Sequence, residues 1–183
     1  MIRRRAHHTP VPCYRRADGE RAGCTFVPVD LPTGHVTDFD FLLGSWTVVH
    51  RRLRQRWVGS DDWDVFSSTS TCEHRLGGVA NVEQIDCAQR GFSGMAVRVF
   101  DLAERRWSIY WVNSTIGRLE PPVVGGFEGT VGRFEGDDTD DGQPIRARFV
   151  WTVIDDGHAR WEQAFSADGD EWETNWIMEF TRC

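Results

Sequence analysis

Turn-forming residues divide this sequence into many short segments, and no segment has the apolar spacing of a long helix. Clusters such as Gly77-Gly78 and Asp155-Asp156-Gly157 separate runs that are rich in Val, Phe, Trp and Thr. The pattern predicts an all-β, antiparallel meander of about ten strands, which closes into a barrel or folds into a sandwich. The predicted strands cover residues 45–58, 63–75, 79–89, 92–101, 105–114, 121–128, 130–136, 144–155, 158–167 and 170–182.

The strand pattern begins only after an N-terminal segment of different composition. Residues 1–36 are rich in Pro, Arg, Gly and His and lack periodicity, which predicts a disordered or loosely packed arm. Residues 37–183 are expected to form the barrel domain. Its first element is predicted to be a short helical turn that Asp38 or Asp40 can cap. The apolar residues expected to be buried by this turn are Phe39, Phe41, Leu42 and Leu43.

The last hairpin predicts the direction in which its tryptophans point. A two-residue turn at Asp168-Gly169 sets one register between the two strands. The pairs in that register are Phe165 with Trp172, Gln163 with Thr174, and Trp161 with Trp176. The opposite face is mostly charged, so we expect the aromatic face to point into the barrel.

The preceding hairpin supports the same orientation. If residues 155–157 form a three-residue loop with Gly157 in the left-handed conformation, Trp151 faces Trp161 and Phe149 faces Gln163. A two-residue loop would place both Trp151 and Phe149 outside. The first register is therefore preferred, because a shift of one residue moves every side chain to the other face.

The middle hairpin has a predicted register but two apolar faces. A four-residue loop pairs Phe100 with Trp107, Arg98 with Ile109, and Ala96 with Trp111. Small residues at positions 94 and 96 would then leave room for the large Trp111 and for Asn113. The face that carries Tyr110 is also apolar, so the sequence leaves open which face lines the interior.

Composition excludes several kinds of function. All 21 basic residues are Arg, which excludes Schiff-base, Walker-lysine and Ser-Lys chemistry. The net charge of −7 disfavours nucleic acid as a partner. No apolar run follows the basic N-terminus and no window is long enough to span a membrane, so a cytoplasmic protein without a membrane partner is expected. The five Cys form no Cys-x-x-Cys motif, so we expect no metal site.

Four stretches carry a resemblance to a known family: FDFLLGSWTVVHRRL, FDLAERRWSIYWVNS, GRLEPPVVGGFEG and WEQAFSADGDEWETNWIMEFTR. Over residues 38–182 the chain resembles a bacterial family of uncharacterised lipocalin-like barrels in the calycin superfamily. In calycins a Gly-x-Trp motif closes one barrel end and a late Arg packs over its ring. Gly44-Ser45-Trp46 and Arg182 match this motif. The resemblance implies a single up-and-down barrel that binds a ligand, with no agreed reaction.

The same resemblance bears on the cofactor. A haem-binding relative ligates iron through a His near its chain end, whereas the last two strands here contain no interior His. We therefore expect no cofactor.

The residues expected to face the interior define a candidate ligand site. They are Trp46, His50, Arg98, Trp111, Asn113, Phe149, Trp151, Trp161, Gln163, Trp172, Thr174 and Trp176. A few polar groups among aromatic rings are typical of a binding pocket. A buried Arg98 would need an anionic partner, and a ligand carboxylate could supply it.

The predicted function is binding of a small hydrophobic or aromatic molecule in this Trp-lined cavity. An alternative is a cyclase or isomerase that uses the same cavity, with His50 or Arg98 polarising the substrate. A half-buried structural His50 is the simpler interpretation of that residue. In a third interpretation, the Trp-rich faces form the interface of a homodimer.

Two segments outside these strands have predicted roles of their own. Residues 117–126 contain Pro121-Pro122, which cannot lie in a central strand, so this segment is either a portal flap or a plain connector. The sequence DDTDDG at 137–142 predicts a solvated acidic turn.

Overall fold

The structure, a computed structural model, describes residues 31–183, and these form one closed antiparallel sheet. Every strand pairs with its neighbour in the chain, and the first pairs with the last. This confirms the all-β, up-and-down barrel. The strands are β1 (Gly44–Leu53), β2 (Trp63–Arg75), β3 (Ala80–Cys87), β4 (Phe92–Asp101), β5 (Arg106–Asn113), β6 (Val123–Glu128), β7 (Val131–Asp140), β8 (Gln143–Asp155), β9 (His158–Ser166) and β10 (Glu173–Arg182).

Helical structure in the described residues is limited to three short 3-10 turns, at Asp40–Leu42, Leu76–Gly78 and Ala88–Arg90. Among residues 31–183, no helix has the length and apolar character needed to cross a membrane. The first turn is the predicted one, but no side chain caps it. Asp38 instead accepts a hydrogen bond from the backbone N–H of His35 at 2.7 Å.

The predicted N-terminal arm is described only in part, because residues 1–30 lie outside the described residues. Residues 31–36 lie against the start of β5. The Gly34 N–H donates to the Arg105 carbonyl at 2.8 Å, and the Trp107 indole N–H donates to the His35 carbonyl at 3.1 Å.

The first 3-10 turn closes one end of the barrel with aromatic rings. Phe39 is 1% exposed and packs against Trp107, Phe127, Phe134 and Trp151, with ring centroids 5.1 to 6.1 Å apart. Such edge-on and tilted ring contacts add stabilisation beyond the apolar area that they bury. We call this end the closed end.

Trp46 seals the same end under an arginine. The Trp46 indole N–H donates to the Leu42 carbonyl at 2.7 Å, and the Arg182 guanidinium lies 4.2 Å above the indole ring. Arg182 also donates to the carbonyls of Phe41, Leu43 and Asp156. The contact between Trp46 and Arg182 that the calycin resemblance implies is therefore present.

The middle hairpin has the predicted register, and its open question is resolved. Residues pair as Phe100 with Trp107, Arg98 with Ile109, and Ala96 with Trp111. This face points inward, since Arg98 is 2% exposed, whereas Met95 on the other face is 37% exposed.

The hairpin of β8 and β9 has the predicted register for a different reason. Trp151 pairs with Trp161 and Phe149 with Gln163. The prediction of a three-residue loop with a left-handed Gly157 is wrong, because Gly157 does not have a positive φ. The turn has two residues, and an irregularity between Val153 and Asp155 shifts the pairing by one residue. A bulge thus restores the register that a longer loop would have set.

The predicted register of β9 and β10 is wrong. Trp161 pairs with Met178 instead of Trp176, and Gln163 pairs with Trp176. The loop is longer than two residues because Asp168 stabilises it: its carboxylate accepts from the backbone N–H of Asp170 at 2.9 Å and of Glu171 at 3.1 Å. An irregularity between Thr174 and Trp176 then changes which side chains face inward.

The acidic segment 137–142 is also corrected. β7 continues to Asp140 and β8 begins at Gln143, so only Asp141 and Gly142 form the turn. Cross-strand charge pairing supports this extension, since Asp137 accepts from Arg146 at 2.9 Å.

The close approach of Trp111 to β4 gives a stability prediction. A Cβ added at Gly94 would lie 2.0 Å from Cη2 of Trp111, so we expect Gly94→Ala to lower the free energy of unfolding by about 1–3 kcal/mol. Urea unfolding measures this change. Gly157→Ala is the matched control, because its nearest contact would be 3.6 Å and its φ is not left-handed; it should change stability by less than about 0.5 kcal/mol. Equal stability of both variants would contradict the packing.

Candidate functional site

The barrel contains two adjoining spaces, an inner cavity and a wide opening. The inner cavity has a volume of about 50 Å³ and the opening, which we call the mouth, about 890 Å³. Four residues line both spaces: Trp111, Glu120, Gln163 and Trp176. Ligand pockets usually measure about 300–1,000 Å³. The inner cavity therefore accommodates only a few atoms, and a larger molecule must occupy the mouth.

The mouth lies at the barrel end opposite Trp46. It is lined by Arg52, Arg56, Tyr110, Trp111, Asn113, Ile116, Arg118, Leu119, Glu120, Pro121, Pro122, Asp137, Asp138, Thr139, Asp140, Gln163, Phe165 and Trp176. The connection between β5 and β6 supplies Ile116 to Pro122, so the segment predicted as a portal flap or connector borders the opening.

Seven of the twelve predicted site residues line the inner cavity. They are Arg98, Trp111, Phe149, Trp151, Trp161, Gln163 and Trp176. The rings contact one another, since Trp161 lies 4.9 Å from Phe149 and 5.8 Å from Trp176 between centroids. Asn113 lines only the mouth.

The other four predicted residues line neither space. Trp46 belongs to the closed end, and His50 is buried in the wall. The inward placement of Trp172 and Thr174 is wrong, because the longer loop leaves Trp172 outside, under the Arg148 guanidinium at 4.1 Å, and Thr174 exposed. The bulge instead turns Asn175 inward, where it is 2% exposed and accepts from Gln163 at 2.8 Å.

His50 has both ring nitrogens engaged and no exposed surface. The Trp176 indole N–H donates to Nδ1 at 3.1 Å, so Nε2 carries the proton and donates to the Ser68 hydroxyl at 2.7 Å. The ring also stacks on Phe66 at 4.5 Å. Burial, and secondarily the charge of Arg52, lowers the pKa of His50 from 6.5 to about 4. His50 is therefore neutral near pH 7 and orients Trp176.

This pKa predicts a specific acid sensitivity. The unfolded chain binds a proton at His50 near pH 6.5 and the folded chain only near pH 4, so the contribution to stability is complete above pH 6.5. It should decline by about 3 kcal/mol as the pH falls from 6.5 to 4. Urea unfolding as a function of pH measures this decline.

A matched pair of variants isolates His50 from the carboxylates that titrate in the same range. His50→Gln should flatten the decline, whereas His158→Gln, which alters an exposed His beside Asp155, should retain it. Identical pH profiles for His50→Gln and the wild type would contradict the assignment.

Arg98 has a protein partner, which corrects the expectation of a ligand carboxylate. Its guanidinium forms an ion pair with Glu83 and donates to Asn81 Oδ1 at 3.1 Å. The Ser70 hydroxyl donates to the other Glu83 oxygen at 2.7 Å. The side chains of Arg98 and Glu83 are 2% and 1% exposed, so this group forms a polar layer inside the barrel.

Sequence reasoning missed Glu83, Asn81 and Ser70, although strand parity carries a signal for them. Glu83 and Asn81 lie on the same face of β3 as Ile85 and Cys87, and all four residues are buried. A charged residue at an inward position next to a strand with an inward Arg indicates a buried pair.

Two donors beside the inner cavity lack partners among residues 31–183. They are Nε of Arg98 and the indole N–H of Trp151, both buried. Unpaired buried donors are rare and costly, so an acceptor atom placed in the cavity would be stabilised there.

The polar layer gives a coupling prediction. Glu83→Leu leaves the Arg98 charge buried without its carboxylate, so the free energy of unfolding should fall by about 3–5 kcal/mol. Adding Arg98→Met should recover at least about 2 kcal/mol of that loss, because the unpaired charge is then removed. A double-mutant cycle by urea unfolding measures this coupling, and strictly additive effects would rule it out.

Some of the charged side chains around the mouth form ion pairs. Arg56 donates to both carboxylate oxygens of Asp140 at 2.5 and 2.9 Å, and the Trp57 indole N–H donates to Asp140 at 2.8 Å. Glu120 is half-buried, and burial, with a smaller contribution from Asp138, raises its pKa. Among the described residues, no three His, Cys, Asp or Glu side chains form a group that could hold a metal ion.

These features define a small closed antiparallel β-barrel with an aromatic interior and one open end. No family model matches the sequence, and no curated protein is similar to it. A redesigned β-barrel of known structure is similar, with 8% identity and a TM-score of 0.46 over 82% of this chain and 99% of that chain. The fold assignment therefore depends on the strand pairing observed here.

Proposed function

We propose that the protein binds a small hydrophobic or aromatic molecule whose body lies in the mouth and whose tip enters the inner cavity. The observation that carries this proposal is that Trp111 and Trp176 line both spaces. Trp111 is half-buried and Trp176 is buried, so each ring presents apolar surface to both the opening and the interior. Aromatic walls with a few polar groups are typical of small-molecule sites.

Three further features support binding over catalysis. Of the two residues considered for a cyclase or isomerase, His50 lines neither space, and the charge of Arg98 is already neutralised by Glu83. The unpaired donors of Arg98 and Trp151 suit a ligand whose tip carries an acceptor atom. Membership of the calycin superfamily fits the contact of Trp46 with Arg182 and forms part of this proposal. Three expectations from the sequence stay predictions. They are a cytoplasmic location, the absence of a nucleic acid or membrane partner, and the formation of a homodimer.

The affinity of a simple aromatic probe can be bounded. A two-ring molecule that buries about 250 Å² of apolar surface gains at most about 6 kcal/mol, and association itself costs part of this gain, so its dissociation constant should be no lower than about tens of micromolar. We therefore expect 2-naphthalenemethanol to bind saturably, with a dissociation constant at or above this bound, as measured by isothermal titration calorimetry.

Matched tryptophan variants locate the site. Trp111→Leu should weaken binding of this probe at least about tenfold, because the ring lines both spaces. Trp172→Leu should have no effect, since Trp172 lies outside the barrel. In the unaltered protein, the indole N–H signals of Trp111 and Trp176 should shift on titration and that of Trp172 should not. Absence of saturable binding, or equal losses in both variants, would contradict the proposal.

A further inference from the structure

We propose that the mouth holds an anionic ligand group, with Arg52 as its receptor, so that the ligand is an apolar or aromatic carboxylate. This inference rests on the proposed function and names the class of molecule that the mouth selects.

Arg52 faces the interior at the open end of the barrel. It shares the inward face of β1 with Trp46 and His50, and it pairs across the sheet with Trp176. Its guanidinium lies 4.6 Å from the centre of the Trp176 ring. Since Trp176 lines both spaces, a ligand in contact with this indole also lies beside Arg52.

The guanidinium of Arg52 has N–H donors that make no hydrogen bond to a carboxylate among the described residues. A cation–π contact with an indole does not require the N–H donors of the guanidinium, so these donors can bind a carboxylate. Among residues 31–183 no carboxylate hydrogen-bonds to Arg52; Asp140, Asp64 and Glu120 act on it only through longer-range attraction.

The neighbouring carboxylates are already used by other arginines. Asp140 accepts from Arg56, and Asp64 accepts from Arg54 and Arg90. Arg52 is half-buried, and desolvation lowers its pKa. An arginine nevertheless remains charged at neutral pH, so a ligand carboxylate would supply the carboxylate partner that Arg52 lacks within residues 31–183.

Glu120 is the group that opposes an anion, and its properties favour the same ligand class. Burial and the charge of Asp138 raise the pKa of Glu120. Glu120 therefore takes up a proton, and loses its negative charge, more readily than Arg52 loses its positive charge. The mouth is lined by three arginines and four acidic side chains, but Asp140 is paired with Arg56 and Asp137 with Arg146. The preference for an anion therefore depends on Arg52, which has no hydrogen-bonded carboxylate among the described residues.

Three probes of one shape test the inference: 2-naphthoate, 2-naphthalenemethanol and 2-naphthylmethylamine, each titrated calorimetrically at pH 7. In the wild-type protein we expect 2-naphthoate to bind at least tenfold more tightly than the alcohol, and the amine to bind least tightly. Arg52→Gln should reduce the ratio of naphthoate to alcohol affinity to about one. Arg54→Gln, which removes the same charge from an exposed side chain of the following loop, should leave the ratio unchanged.

Glu120→Gln provides a test that does not depend on altering Arg52. The substitution removes a negative charge that repels a bound carboxylate, so the ratio of naphthoate to alcohol affinity should increase at least twofold. An unchanged or lower ratio would count against the inference.

The outcomes separate the two proposals. If the alcohol binds saturably and naphthoate binds no more tightly, the anionic subsite is overturned and the proposed function stands. Preferred binding of the amine would identify Glu120 as the receptor and would also overturn the inference. If none of the three probes binds saturably, the proposed function itself fails.

Discussion

The pairing of β1 with β10 is the constraint on which the rest of the structure depends. It closes the sheet, and closure assigns every strand one face toward the interior and one toward solvent. The same pair of strands also defines both barrel ends, with Trp46 opposite Arg182 at one end and Arg52 opposite Trp176 at the other. A change of register here would alter the seal and the mouth together.

The interior is divided between aromatic rings and a buried polar layer, and this division sets the size of the site. Rings around Phe39 fill the closed end, while the ion pair of Arg98 and Glu83, on the neighbouring strands β4 and β3, occupies part of the interior. Little space remains, so the inner cavity is only about 50 Å³. A ligand is thereby directed to the mouth, where Trp111 and Trp176 combine apolar contact with nearby charge.

Much of the fold could be predicted because alternation and turn residues are local signals. Nine predicted strands lie within about four residues of the observed bounds at each end, and the register of the middle hairpin followed from its loop length. The register of β8 and β9 agrees with the prediction only because a bulge compensates for a shorter turn. The last hairpin failed because side chains, and not turn residues alone, decided its loop length. Asp168 accepts backbone hydrogen bonds within the loop, and a bulge beside Asn175 then exchanged the expected Thr174 for Asn175 inside.

The sequence by itself determined the all-β meander, the inward direction of most tryptophans, and the match of Trp46 and Arg182 to a barrel-closing pair. Each depends on short-range periodicity or on a motif. Only the tertiary structure decided that Glu83 neutralises Arg98, that His50 lies in the wall, and that Arg52 remains available at the mouth. These outcomes depend on which inward side chains meet across paired strands, both neighbouring strands and the closing pair β1 and β10, and that is set by register, closure and packing.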